Sequence, residues 1–319
     1  MPVLYRTSYR RPPAYQFNGH LQTVLPAVLR KVEAPFECER IGLPDGDHLD
    51  LDWITGGGRR LAILTHGLEG NSRRHYMKGM ARLFASRGWD VLAWNCRTCN
   101  GEMNQQLRMY HHGDIDDIGH VVRHALRTKD YEQVVLIGFS MGASILLKYL
   151  GVHGNEVPDA ISKGIAFSAP CDLEAGVRAL ERPANRFYKK RFLKSLRPKI
   201  EAKAELYPDV LDASKFDEIR EWRDFDNFFS APINGYSDAE EFYYNSSAKN
   251  FMAGTDREVL VVNAKNDPIL LPECSPVKLA EKHPKIFLEM PRSGGHVGFA
   301  LSGNAHTWSE YRALEFAEA

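Results

Sequence analysis

Residues 134–150, VVLIGFSMGASILLKYL, constrain this chain more than any other stretch. The apolar run Val134-Val135-Leu136-Ile137 stops abruptly at Gly138-Phe139-Ser140-Met141-Gly142, and a helix-forming run, residues 143–150, follows at once. Strand, sharp turn and helix around G-x-S-x-G form the pattern of a nucleophile elbow. The turn forces the serine into a strained backbone conformation, so strand and helix pass very close on either side. Gly138 and Gly142 leave that room, because a Cβ at either position would collide. Ser140 is therefore the candidate nucleophile. The rest of the chain should supply a base, an acid and an oxyanion hole.

The order of the remaining runs predicts the scaffold. Residues 1–35, rich in Pro, Tyr and Arg, read as an extended arm packed on the core, with a short helix near 21–30. Two strand-like segments, 36–43 and 48–55, flank Pro44-Asp45-Gly46-Asp47, a strong turn signal, and so predict a hairpin. Buried strands follow at 60–65 and 89–94, separated by a helix over 74–86, and a helix from 114 to 127 precedes the elbow strand. Asp114, Asp116 and Asp117 suit that helix's N-terminus through its dipole. Further strands are expected at 164–168, 258–263 and 285–290, with a helix near 276–282 and a last helix from about 305. Residues 173–250 break this rhythm, being charged, aromatic and helical in feel. Alternating strands and helices mean an α/β fold: a mostly parallel central sheet with helices on both faces and a helical cap insertion. The expected division is a core of 1–172, a cap of 173–250 and the second part of the core, 251–319.

In open α/β sheets functional groups collect past the carboxyl ends of the strands. After strand 60–65 comes His66-Gly67-Leu68-Glu69-Gly70, a turn that presents backbone N–H groups. With the N–H after the nucleophile, it makes the backbones of Leu68 and Met141 the candidate oxyanion hole. His66 itself reads equally as structural or catalytic. After strand 258–263 comes Asp267, held by Pro268, and after strand 285–290 comes His296 in the glycine-rich loop Gly294-Gly295-His296. The chain order Ser140, Asp267, His296 is one of the orders in which a serine triad occurs. Asp172, which follows strand 164–168, is the alternative acid.

Other signals are weaker. Lys+Arg and Asp+Glu both number 41, so no net positive charge attracts nucleic acid or an anionic membrane over distance. No secretory leader or run of about 18 apolar residues is evident, and five scattered cysteines suit a reducing cytoplasm. Cys96-Arg97-Thr98-Cys99 reads as a loop near the site, with no second pair to hold a metal. His112 and Asp117 have H-x4-D spacing, read here as a cap or loop anchor. From Arg186 to Lys199 seven basic residues occur with no acid among them, punctuated by Phe187, Phe192 and Leu196. A solvated basic face is the first reading of that run, and a weak peripheral contact with lipid the second.

The stretches FNGHLQT (17–23), LPDGDHLDLDW (43–53), HGLEGNS (66–72), GWDVLAWNCR (88–97), YHHGDIDD (110–117), GFSMGA (138–143), NDPI (266–269) and GGHVGF (294–299) together resemble the YheT-like branch of the α/β-hydrolases. The resemblance covers nearly the whole chain. It implies an α/β-hydrolase fold and a Ser-Asp-His triad that matches Ser140, Asp267 and His296 by motif, with neither cofactor nor metal. The branch includes animal lipid-hydrolysing proteins and yeast enzymes that make and cleave medium-chain ethyl esters. Where that branch has Arg-Gly-Cys after the fourth core strand, this chain has Arg97-Thr98-Cys99. The expected function is serine carboxylic-ester hydrolysis of short- to medium-chain acyl esters or acylglycerols. The rivals are an alcohol acyltransferase using the same triad and a non-catalytic binding protein on this fold.

Overall fold

The computed structural model describes residues 3–319. The elbow strand, β6 (Gln133–Phe139), lies at the centre of a nine-stranded sheet of order β1-β9-β8-β7-β6-β4-β5-β3-β2. The other strands are β1 (Val3–Leu4), β2 (Glu37–Gly42), β3 (His48–Ile54), β4 (Arg60–Thr65), β5 (Asp90–Asn95), β7 (Ile161–Phe167), β8 (Glu258–Val262) and β9 (Ile286–Glu289). The β2–β3 hairpin is antiparallel, as is the β3–β5 pair; every other neighbouring pair is parallel. Both faces are covered, which is why the central strands are apolar without alternation. Val134 and Leu136 pack into the core on one face, Val135 and Ile137 into the core on the other. Each such fully buried side chain contributes about 1.5–3 kcal/mol.

α1 (Gly19–Leu29) is capped by Asn18, whose Oδ1 accepts the Leu21 N–H at 2.9 Å. α2 (His75–Ser86) and α3 (Ile115–Thr128) connect the first strands, and α4 (Met141–His153) leaves the elbow. Between β7 and β8 the described chain forms no strand. It runs instead through α5 (Leu173–Leu180), the 21-residue α6 (Arg186–Leu206) and a series of short helical turns ending in Met252–Gly254. The basic run of residues 186–199 thus lies on α6. Its charges are partly answered from elsewhere in the chain: Lys189 pairs with Glu181, Arg197 with Asp217, and Lys199 with Glu69. Among the described residues no helix is long and apolar enough to cross a membrane.

One element escapes the sequence pattern. β1 adds a strand to the sheet edge, pairing Val3 with Leu288 and Leu4 with Glu289 in parallel. Two residues are too few to show a period of two, so residues 1–35 read simply as an arm.

Register positions the functional groups. Thr65 lies beside Gly138, Phe139 beside Phe167, Phe167 beside Val262, and Val262 beside Glu289. The carboxyl ends of β4, β6, β7, β8 and β9 are therefore level. The loops that follow them open on one edge of the sheet.

Candidate active site

Ser140 occupies the turn between β6 and α4 with φ +53° and ψ −117°, a conformation rare for a residue with a side chain. The strain is held by close packing. A Cβ on Gly138 would lie 2.3 Å from the Gly142 carbonyl oxygen, and one on Gly142 2.4 Å from the Thr65 carbonyl oxygen. The Ser140 N–H donates to the Phe167 carbonyl at 2.9 Å, which ties the elbow to β7.

His296 and Asp267 converge on this serine. His296 Nε2 lies 2.8 Å from Ser140 Oγ, and His296 Nδ1 lies 2.8 Å from Asp267 Oδ2. Asp267 has no exposed side-chain surface, and its other oxygen, Oδ1, accepts the Ile269 N–H at 3.0 Å across Pro268. The structure does not bring Asp172 to the histidine. That carboxylate caps α5 by accepting the Ala175 N–H at 3.1 Å and pairs with Lys249 at 2.5 Å.

The hydrogen bonds of the 66–70 turn single out one N–H. Gly67 donates to the Tyr76 hydroxyl, Glu69 to the Tyr110 hydroxyl and Gly70 to the Gly67 carbonyl. Among the described residues the Leu68 N–H has no partner. At the start of α4 the Met141 N–H is likewise free, as the first amides of a helix are. His66 is an anchor: its Nδ1 donates to the Gly67 carbonyl at 2.8 Å and its Nε2 accepts the Cys96 N–H at 3.0 Å. Burial pushes its pKa down to about 4, so it is neutral and fixed in one tautomer.

A chain with this topology and this elbow matches the family model described as the alpha/beta hydrolase fold over residues 63–302. The chain belongs to the α/β-hydrolase family. It is 32% identical over 305 residues to YheT of Escherichia coli, a protein named for a presumed esterase activity, covering 92% of this chain and 88% of that one. It is 26% identical to the phospholipase ABHD3 of Mus musculus over 93% of this chain and 74% of that one. Its fold is similar to that of an esterase from Pyrococcus furiosus, with a TM-score of 0.60 at 18% identity over 89% of this chain and 91% of that one.

Several residues of this α/β-hydrolase site carry no signal of their own in the sequence. Thr23 Oγ1 accepts the His296 N–H at 2.9 Å, and Gln22 Oε1 accepts from Gly294 N–H at 2.7 Å and from the Asn266 side chain at 2.9 Å. Helix α1 thereby braces both the histidine loop and the aspartate loop. Ser168, at φ +52°, accepts the Val297 N–H on its Oγ at 2.9 Å. FNGHLQT holds Gln22 and Thr23, but no spacing rule says what a helix 270 residues upstream will touch. Arg97 is buried among Asp45, Asp47 and Asp117 at 2.8, 2.5 and 2.8 Å, so it pins the 96–99 turn below the site. The cysteines flanking it are free and buried. Asp117 is thus engaged by Arg97, whereas the His112 side chain makes no hydrogen bond among the described residues and lines cavities beneath the insertion.

Proposed function

We propose that this carboxylic-ester hydrolase works through an acyl-enzyme on Ser140 and acts on short- to medium-chain acyl esters or acylglycerol-type lipids. The observation that carries the reading is the continuous pair of 2.8 Å contacts from Ser140 Oγ through His296 to Asp267, on a strained elbow. In this reading His296 Nε2 takes the Ser140 proton as Oγ attacks the ester carbonyl, and Asp267 holds the imidazole and stabilises its charged form. The Leu68 and Met141 N–H groups receive the oxyanion, and Gly138 and Gly142 keep the elbow closed enough to aim Oγ at it. His296 then protonates the leaving alcohol, and water cleaves the acyl-enzyme with the same groups.

The acyl class follows from the surroundings. Ser140 and His296 open on a groove of about 460 Å³ between α1, α2 and α6, and on a small, mostly apolar cavity of about 60 Å³ beneath the insertion. A chain of modest length suits the small cavity, and the groove leaves space for the alcohol part. Phe187, Lys190, Arg191 and Lys194 on α6 are exposed, Arg191 at the groove, and favour weak, peripheral contact with anionic lipid.

A fluorophosphonate probe tests the nucleophile. The wild-type protein should be labelled and folded Ser140→Ala should not, with ester turnover falling by at least about 10³-fold. Equal labelling of both proteins would reject Ser140. A panel of esters graded in acyl length tests the class, preference for long-chain phospholipid being the contrary result. Product analysis in the presence of ethanol separates hydrolysis from acyl transfer: ester formation that outruns hydrolysis would favour the transferase.

A further inference from the structure

The cavity beneath the insertion is mostly apolar in its walls yet contains one imidazole, His112, with no hydrogen-bond partner among the described residues. A pocket of about 60 Å³ extends from Leu68 into the insertion between Leu196, Ile200, Trp222 and Phe225. It meets the small cavity at Ser140 through shared lining by Leu68, Leu173, Trp222 and His112. Neither ring nitrogen of His112 has a hydrogen-bond partner among the described residues, and the residue is partly buried where it lines the cavity. Its neighbour is half-satisfied: His111 Nδ1 accepts the Gly113 N–H at 3.2 Å, which leaves the proton on Nε2 without an acceptor.

Burial pushes both histidines down to about 3, so both are neutral at physiological pH, each with one donor and one acceptor nitrogen. A plain alkyl chain laid against such a ring leaves its polar atoms unbonded, at a cost of about 1–3 kcal/mol for each buried group. A hydroxyl both donates and accepts, so it answers a neutral imidazole from either side. Because His112 lines the cavity that holds Ser140 and His296, the hydroxyl belongs within a few carbons of the ester carbonyl. Asp226 lines only the deeper pocket, and its two oxygens are taken by Ser230 Oγ at 2.6 Å and the Tyr243 hydroxyl at 2.8 Å. It does not compete for a group so near the carbonyl.

We propose that the pocket selects short acyl chains hydroxylated near the carbonyl, 3-hydroxyacyl esters above all, and that His112 is the residue that reads the hydroxyl. The proposal rests on the reading of Ser140 as the nucleophile and adds the acyl chemistry to it. Its test is a ratio. Ethyl 3-hydroxybutyrate is compared with ethyl butyrate, and ethyl 3-hydroxyhexanoate with ethyl hexanoate, by kcat/KM. The wild-type protein should favour the hydroxylated member of each pair by roughly fivefold or more. His112→Phe should bring the ratio to one or below, whatever its absolute rates, and His112→Gln, which keeps a donor and an acceptor, should retain a preference. A wild-type ratio of one or less, or an unchanged ratio in folded His112→Phe, overturns the assignment and gives the site to a bound water.

A binding experiment separates this failure from failure of the catalytic reading. Ser140→Ala is titrated with N-ethyl 3-hydroxybutyramide and N-ethylbutyramide, neither of which needs to be cleaved. Tighter binding of the hydroxylated amide supports the pocket even if no ester is turned over. Equal binding by a protein that does cleave esters rejects the pocket alone.

Discussion

Thr98 sits at φ +64° inside a turn closed by the Cys99 N–H to the Cys96 carbonyl at 2.9 Å. A left-handed conformation suits glycine and costs a residue with a Cβ about 1–2 kcal/mol. Its hydroxyl is also buried without a partner among the described residues. Two costs therefore fall on the position where the resemblance leads one to expect glycine. Thr98→Gly should stabilise the protein by about 1 kcal/mol after loss of the side chain's packing, seen as a rise in Tm of roughly 2 °C. A Tm at or below that of the wild type would mean that the threonine is held by packing worth more than its strain. The same scale shows what the sequence makes legible at the site. Ser140, Asp267 and His296 can be located because each follows a strand run, and the sheet levels those strand ends. Thr23, Gln22 and Ser168 cannot, since they act through single hydrogen bonds to loops far away in the chain, and a lone Thr or Ser has no pattern.

At the scale of elements, α6 changes the meaning of the basic run. The sequence shows seven cations without an acid among them, yet Lys199 reaches across to Glu69, immediately after Leu68. The Glu69 carboxylate, 8% exposed, takes Lys199 Nζ and Ser195 Oγ at 2.6 Å each and the Tyr110 hydroxyl as well. Glu69 itself lies at φ +54°. A helix of the insertion thus holds the turn that carries the proposed oxyanion donor. Removal of such a donor costs about 10²–10³ in rate, so a turn that is only loosened should cost less. Lys199→Met should lower kcat about tenfold with little change in KM, and Lys199→Arg should restore most of it. A raised KM at unchanged kcat would place the effect in substrate binding and not in the turn. Strands and helices of the core are legible from periodicity because packing against the sheet imposes it. The contacts of the insertion are not, because they depend on how one folded piece lies on another.

At the scale of the whole molecule, formal charge is balanced at 41 against 41, so acid sensitivity must come from particular buried groups and not from general repulsion. His66 and His75 are pushed down to about 4, and His111 and His112 to about 3, burial being the main cause in each. In the unfolded chain all four titrate near 6.5. Below that pH the unfolded state takes up protons that the native state refuses, so the native state loses stability as pH falls from 6.5 towards 4. Each histidine should cost about 2 kcal/mol between pH 7 and pH 5. Asp226 acts in the opposite sense. Burial raises it to about 7, so between pH 7 and its unfolded value near 3.8 the native state binds the extra proton and gains stability on acidification. Burial raises Asp114 and Asp117 as well, so three carboxyls stand against four histidines and the net loss is a fraction of the histidine sum, read as a lower urea midpoint at pH 5 than at pH 7. Asp226→Asn removes one counterweight and should widen that difference by about 2 kcal/mol. If the midpoints at pH 7 and pH 5 coincide, the four histidines do not outweigh the raised carboxyls. If they differ equally in wild type and Asp226→Asn, the carboxyl beneath the insertion is ionised at neutral pH, with its Ser230 and Tyr243 hydroxyls outweighing its burial.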